Sequence, residues 1–337
     1  MISGSLLRSK IGGAWVALAS AIGLLLLTIS GERPPIAAAA EPPSTPESRA
    51  ITYLAREVPR WHAKNHCYSC HNNGDAARAL YRAMRLGDAV PPESLTDTSA
   101  WLVRPDGWDK NGGEGPFSDK RLARIQFAAA LAAGVEAGVI TDYAALRQAA
   151  QRLVADQADD GHWPIDDADT LGSPATYGQP LASVMAREAL LTADPARFRA
   201  EVGRADHWLR HQPIRNVLGA AAVLRACATE DHPDAIAQRT RCLDLIRRAQ
   251  SPDGGWGPYT TSPSEPFDTA VVLLGLVRCG QEPDASAMIK RGRSYLISAQ
   301  IADGSWPETT RPAGAESYAQ RISTSGWATL ALLATRP

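Results

Sequence analysis

This sequence lacks several features that mark common classes of protein. Lysine and arginine total 35 against 36 aspartate and glutamate, so the basic excess of a nucleic-acid-binding protein is missing. Only 4 of its 337 residues are phenylalanine. The alternation of polar and apolar residues that is typical of β-strands is almost absent. Alanine-rich and amphipathic segments make up most of the chain, and they predict an all-α protein.

The longest apolar run lies near the N-terminus and is short for a membrane span. Basic residues precede the run at 14–29, and an Ala-x-Ala sequence ends at Ala40. This order is typical of a secretory signal, whereas a comfortable span needs about 20 residues. We therefore predict that residues 1–40 are a signal peptide or an N-terminal membrane anchor. The protein would be exported to the periplasm or cell envelope, and 41–48 would be a Pro-rich linker.

Two kinds of helical pattern alternate along the rest of the chain. The first kind is amphipathic, with one buried face; it occurs near 49–62, 93–103, 142–156, 196–211, 236–249 and 285–299. The second kind is apolar on most sides and must be surrounded by protein; it occurs near 74–86, 119–137, 177–192, 216–228, 267–278 and 322–334. Six such pairs predict an (α/α)6 double barrel, or toroid, over 49–337. An open superhelix is the competing arrangement.

A loop of the form Q-x-x-D-G-x-W occurs three times, each time between an amphipathic helix and its apolar partner. The Asp-Gly pair suits a tight turn, because glycine tolerates positive φ. The glutamine can bond to backbone, and the tryptophan can pack against a neighbouring repeat. We interpret these residues as structural: Gln157, Asp160 and Trp163; Gln250, Asp253 and Trp256; Gln300, Asp303 and Trp306.

These loops resemble the repeats of the terpenoid cyclase and protein prenyltransferase superfamily, above all those of squalene–hopene cyclases. The resemblance covers nearly all of 50–337 and implies the α/α toroid fold. It also implies an acidic D-x-D-D-T segment at the start of an inner helix, whose middle aspartate protonates a polyene. The equivalent here is Glu265-Pro266-Phe267-Asp268-Thr269, in which phenylalanine stands at the acid position. We therefore predict the cyclase scaffold without an intact cyclase acid.

Carboxylates near the junctions of loops and inner helices are weak candidates for other chemistry. A diverged cyclase, or a lyase acting on carbohydrate, would need such groups to face the cavity, in pairs for sugar chemistry. The cavity ligand would then be a small apolar molecule or a carbohydrate. A non-enzymatic scaffold would instead present its loop face to a protein partner. The candidate residues are Glu114, Asp119, Asp169, Glu265, Asp268 and Glu316.

The sequence Cys67-Tyr68-Ser69-Cys70-His71 stands where the first helix pair should have its repeat loop. C-x-x-C-H is the attachment sequence of c-type haem: both thiols become thioethers and the histidine binds the iron. Attachment of this kind takes place outside the cytoplasm, which agrees with the N-terminal signal. We therefore predict one haem c on Cys67, Cys70 and His71, for redox or binding work.

Two other interpretations of this stretch are consistent with the sequence. Cys67 and Cys70 could form a disulfide in an oxidising compartment. A zinc ion is the other choice, and either would be a staple on a scaffold without catalysis. Cys227 and Cys242 could likewise form a disulfide or be small buried residues. The zinc ligands would be Cys67, Cys70, His71 and either His66 or His62.

Overall fold

The computed structural model describes residues 44–110, 119–166, 169–280, 283–311 and 314–337. The predicted signal at 1–40 and the candidate Glu114 lie outside these ranges. No helix within them combines the length and apolar character needed to cross a membrane. The described residues form twelve α-helices and no β-strand: α1 (Pro46–Asn65), α2 (Ala77–Arg85), α3 (Thr96–Leu102), α4 (Lys120–Glu136), α5 (Tyr143–Asp156), α6 (Gln179–Ala193), α7 (Arg199–His211), α8 (Val217–Cys227), α9 (Pro233–Ala249), α10 (Pro266–Leu276), α11 (Pro283–Ala299) and α12 (Tyr318–Ala334).

The even-numbered helices form an inner ring, and the odd-numbered helices sheathe it. Along the inner ring each helix packs against the next one, and α12 packs back against α2 and the π-helical segment Cys70–Ala76 that precedes it. Each outer helix packs on at least one inner helix; α1, for example, contacts both α2 and α12. The prediction of a closed (α/α)6 double barrel, rather than an open superhelix, is therefore confirmed.

The glutamines of the three Q-x-x-D-G-x-W loops join each helix pair to the next. Each side-chain amide donates once to a glycine carbonyl in its own loop and once to a carbonyl of the next outer helix. Because Pro46 begins α1, the third of these interhelix bonds ties the last loop to the first helix. The bonds run from Gln157 to Glu201 at 3.0 Å, from Gln250 to Met288 at 3.0 Å and from Gln300 to Pro46 at 2.8 Å.

The tryptophan and glycine of each loop hold it between two outer helices. Each indole is fully buried and donates to a carbonyl of the preceding outer helix, as Trp306 does to Leu296 at 2.8 Å. Each glycine has positive φ, and a Cβ atom at Gly304 would lie 2.3 Å from the Arg49 carbonyl oxygen. Only glycine permits this approach, so the turn brings consecutive pairs within hydrogen-bond distance.

Helix α1 begins inside the segment that the sequence assigned to a Pro-rich linker. The Thr45 hydroxyl accepts the N–H of Ser48 at 3.1 Å, which is an N-cap bond. Pro46 suits the first position of a helix, where its missing N–H is not needed. Residues 46–48 therefore belong to the toroid, and the prolines here begin a helix rather than prevent one.

Cys227 and Cys242 are both fully buried and carry free thiols. Burial raises the pKa of each thiol to about 12, so both stay protonated at neutral pH. The sequence allowed either a disulfide or two small buried residues; in the structure Cys227 and Cys242 are small buried residues.

We expect Gly304→Ala to destabilise the toroid more than Gly87→Ala. The two glycines have similar φ values, 91° and 85°, so both substitutions carry a backbone strain of about 1 to 2 kcal/mol. The added Cβ meets nothing within 4 Å at Gly87, whereas at Gly304 it meets the Arg49 carbonyl. Urea denaturation followed by circular dichroism measures both free energies of unfolding. Equal losses would show that the contact with Arg49 contributes nothing.

Candidate functional site

The C-x-x-C-H stretch lies between α1 and α2, in the position that the repeat loops occupy in other pairs. Helix α1 ends at Asn65, and the next residue, His66, adopts a left-handed conformation with φ 53°. The buried Cys67 thiol then accepts the indole N–H of Trp61 at 3.2 Å. Ser69 caps the π-helical segment that begins at Cys70, because its hydroxyl accepts the N–H of His71 at 3.1 Å.

Two asparagines directly after the motif replace the missing glutamine and tryptophan. Asn72 donates to the Glu57 carbonyl of α1 at 2.6 Å and to the Tyr318 hydroxyl of α12 at 2.8 Å. Asn73 donates to the Thr98 hydroxyl of α3 at 2.8 Å. Both side chains are buried. The first corner of the ring is therefore fixed to three neighbouring helices by amides, and this fixes the motif as well.

Cys70 and His71 lie side by side at the loop end of the inner ring. The Cys70 sulfur is 3.8 Å from His71 Nε2, and His71 Nδ1 is 3.1 Å from the Ser323 hydroxyl of α12. Burial lowers the pKa of His71 to about 4 and raises that of the Cys70 thiol to about 12. At neutral pH the imidazole is therefore neutral, the form that binds metals, while the thiol keeps its proton.

The zinc site that the sequence allowed is not assembled. His66 is exposed at the end of α1, whereas Cys67 faces the indole of Trp61. Across the described residues, no group of three or more histidine, cysteine, aspartate or glutamate side chains is placed to hold a metal ion. Cys67 and Cys70 both carry free thiols, so the alternative disulfide is not formed either.

A buried polar cluster around Asp75 fills the lumen beside the motif. Asp75 is 1% exposed. It accepts bonds from the hydroxyl of Tyr177 and from the amide of Gln126, the latter at 3.1 Å. Tyr177 has φ 61°, an uncommon conformation for a bulky residue. Burial raises the pKa of Asp75, while Arg78, Tyr177 and Ser323 act in the opposite direction. The cluster connects α2, α4, α12 and the loop before α6.

Arg78 lies deeper in the lumen than Asp75, near the aromatic side chains. Its guanidinium carbon is 4.1 Å from the centre of the Trp327 ring, a cation–π contact. Its Nη1 donates to the Met185 sulfur at 3.5 Å. Tyr177 and Phe267 meet the same indole edge-on, at 5.5 and 5.8 Å between ring centres. The aromatic face at the centre of the toroid is therefore already occupied by a cation.

Sequence reasoning missed this cluster entirely. Asp75, Arg78 and Gln126 are polar positions in otherwise apolar inner segments, and that contrast was the available signal. Their partners come from distant parts of the chain: Tyr177 lies 102 residues after Asp75. Helical periodicity shows that such residues face inward, but not which other residue they meet.

The segment that the resemblance aligns with the cyclase acid is built around an ion pair. Asp268 is fully buried, and Arg311 donates to its carboxylate at 2.9 Å. Arg311 also pairs with Glu265 at 2.7 Å and donates to the Gly172 carbonyl at 2.9 Å. Burial is the largest effect and raises the pKa of Asp268 to about 7, although Arg311 opposes it. Phe267, which the resemblance aligns with the acid, is fully buried.

The remaining candidate carboxylates are not brought together. Asp119 caps α4 by accepting the N–H of Leu122 at 2.9 Å, and it also accepts the N–H of Asp166. Asp169 is exposed beside a groove of about 450 Å³ at the loop end. Glu316 is exposed. Of the candidates that the structure describes, only Glu265 and Asp268 meet, and Arg311 lies between them.

Several known proteins are similar to this chain in sequence. The squalene-hopene cyclase C-terminal domain family matches residues 200–336. Drimenyl diphosphate synthase from Streptantibioticus cattleyicolor is 28% identical over 259 residues, which cover 71% of this chain and 45% of that protein. The drimenyl diphosphate synthase of Streptomyces showdoensis is 29% identical over 150 residues, or 40% of this chain and 28% of that protein. The chain thus spans less than half the length of these relatives.

Solved type II terpene cyclases have the same fold. The apo structure of MstE from Scytonema matches 87% of this chain and 98% of its own length, with a TM-score of 0.55 at 15% identity. ent-Copalyl diphosphate synthase from Streptomyces platensis matches 77% of this chain and 50% of its own length, with a TM-score of 0.52 at 19% identity. The chain therefore has the α/α-toroid fold of the terpenoid cyclase superfamily.

Asp268 should make the stability of the toroid depend on pH. Its pKa is about 7 in the folded chain against an ordinary value of 3.8, so the folded state holds an extra proton between these values. The resulting stability is present below the lower value and is lost as the pH rises through the upper one. We expect Asp268→Asn to remove this decline, which amounts to at most about 4 kcal/mol.

Free energies of unfolding measured from about pH 4 to about pH 8 test this pH dependence. The matched control is Asp159→Asn, an exposed position that should keep the wild-type slope. A decline that persists in Asp268→Asn would assign the extra proton to another group.

Proposed function

We propose that this protein is an exported terpenoid-cyclase-like toroid that carries one c-type haem on its first repeat. It would work in electron transfer or ligand binding in the periplasm or cell envelope. The observation that carries the proposal is the Cys67–His71 stretch, which stands in place of a repeat loop at the start of an inner helix. A haem c, once bound, would supply one-electron redox chemistry or an iron coordination position.

The residues of this corner fit such a group in their chemistry. Cys67 and Cys70 are free thiols, so both are available for thioether bonds. His71 is neutral at pH 7, because burial lowers its pKa to about 4. Its Nδ1 lies 3.1 Å from the Ser323 hydroxyl, and Nε2, beside the Cys70 sulfur, would be the nitrogen for iron. A second hydrogen-bonding partner of this kind commonly orients a ligand histidine.

Features of the lumen favour this function over cyclisation. A cyclase of this kind needs a proton donor at the acid position and an open aromatic face for the carbocation. Phe267 stands at that position, and the Arg78 guanidinium already covers Trp327 at 4.1 Å. The corner that contains Cys70 and His71 is therefore a better candidate for a reactive site than the centre of the lumen.

Expression in a strain that matures c-type cytochromes tests the proposal. We expect a coloured protein whose Soret absorption survives acid-acetone extraction. The double variant Cys67→Ser and Cys70→Ser should lose that absorption, because no thioether can form. His71→Ala should keep the covalent haem with a changed spectrum. Cys279→Ser, outside the motif, is the control and should match the wild type. A colourless wild-type protein from such a strain would refute the proposal.

A second candidate is a diverged cyclase in which Asp268 donates the proton. Its support is the raised pKa of this buried carboxyl, about 7, which leaves much of it protonated at neutral pH. The similar proteins named drimenyl diphosphate synthases suggest a prenyl diphosphate as substrate. Incubation with linear prenyl diphosphates, followed by mass spectrometry, should then give cyclic products. Asp268→Asn should abolish them and Asp159→Asn should not; no product from the wild type rejects this candidate.

A further inference from the structure

A second cavity, of about 490 Å³, opens at the end of the inner ring opposite to the repeat loops. All six inner helices line it, mostly through residues of their last turns. It is therefore separate from the corner that holds Cys70 and His71, and also from Asp268. Its charged lining consists of five arginines and two glutamates: Arg78, Arg82, Arg85, Arg225, Arg278, Glu136 and Glu188.

The two glutamates of this cavity are already paired with arginines. Arg85 forms an ion pair with Glu136. Glu188 accepts from Arg225 at 2.7 Å and from Arg278 at 3.2 Å. Five arginines against two glutamates leave an excess of three positive charges. Arg78 and Arg82, one helical turn apart on α2, supply most of that excess, since the described residues give neither of them a direct ion pair.

Arg78 is attracted by Asp75, outside the cavity lining, and Arg82 by Glu136, which already pairs with Arg85. Arg78 is 6% exposed, and among the described residues its Nη2 has no hydrogen-bond partner. A buried charged donor without an acceptor is unfavourable. Burial and, next, repulsion from Arg85 lower the pKa of Arg82. The lowered pKa of Arg82 and the excess of arginines over glutamates both indicate that the cavity lining lacks negative charge.

Helix dipoles explain only part of this arginine cluster. The C-termini of the inner helices carry partial negative charge, which favours cations in the last turn, such as Arg85. Arg78 lies in the first turn of α2, where this effect does not act. The cavity therefore contains more arginines than are needed to neutralise the partial charges of the helix C-termini.

The rest of the cavity lining is apolar and made largely of small residues. Alanines of α4 and α6 leave the space open, and Met185, Leu274 and Leu330 add larger apolar surface. A ligand that fills it would combine an anionic group with a compact apolar body. A phosphate carries about −1.5 to −2 charges at pH 7 and accepts two parallel bonds from a guanidinium. It matches an excess of three charges better than a single carboxylate does.

We propose that this cavity binds an organic phosphate with a short apolar body, that Arg82 binds the phosphate group, and that the charge of Arg78 adds to the attraction. The apolar body lies against the alanines of α4 and α6. This site is independent of the haem proposal, because it lies at the other end of the ring and shares no side chain with the Cys67–His71 corner.

Isothermal titration of the full chain with hexyl phosphate at low salt tests the assignment. We expect one site, and at least about tenfold weaker binding in Arg82→Gln, which loses charge-assisted bonds. Arg82→Lys keeps the positive charge but lacks the planar guanidinium, so its affinity should lie between those of the wild type and Arg82→Gln. Arg147→Gln, an exposed position on α5, is the control and should bind like the wild type.

Thermal unfolding with and without hexyl phosphate separates a loss of binding from a loss of stability in a variant. A ligand that binds the folded state raises the melting temperature of any variant that still binds it. Hexanoate should bind more weakly than hexyl phosphate. Equal binding of the two compounds, absence of binding to the wild type, or unchanged binding in Arg82→Gln would each overturn the proposal.

Discussion

The bond from the Gln300 amide to the Pro46 carbonyl, at 2.8 Å, joins the last loop of the chain to its first helix. Beside it, Gly304 comes so close to Arg49 that no side chain would fit between them. If these contacts were absent, α12 and α1 would be edges of an open array, with apolar faces in water. Because the same glutamine and glycine contacts recur at two other corners, ring closure repeats a local interaction rather than adding a new one. Everything inside the ring depends on that closure.

Polar groups buried in the middle of a closed ring are removed from water and need partners in the protein. Asp75 does so through Tyr177 and Gln126, which belong to other repeats. Such bonds cross the lumen and link helices that the outer loops do not join. The first repeat gives up its glutamine and tryptophan, but Asn72 and Asn73 hold its corner to α1, α3 and α12. The corner that differs most in sequence is therefore still fully anchored.

Periodicity and the repeated loops predicted the twelve helices, the two rings and the closure, because each of these follows from local patterns that recur. What these local patterns do not show is which distant side chains meet. A zinc site at Cys67, Cys70, His71 and His66 required four donors to converge, but the left-handed end of α1 leaves His66 exposed. Asp268 was predicted as a candidate, while its partner Arg311, in the loop before α12, follows no pattern in the sequence. Burial of Asp75 and Arg78 likewise depends on contacts across the ring.

The two ends of the lumen differ in charge because they are made from different parts of the inner helices. At the loop end, helix starts place Asp75, Asp268 and His71 among hydrogen-bond donors. At the other end, helix C-termini bring arginines together around a cavity with small apolar walls. Between them Trp327, Tyr177 and Phe267 pack edge to face and leave Arg78 as the link, with Asp75 on one side and the cavity on the other. A ligand that neutralises Arg78 would weaken the attraction that lowers the pKa of Asp75. Binding of a ligand in the cavity should therefore change the pKa of Asp75 at the loop end, through the Arg78 guanidinium.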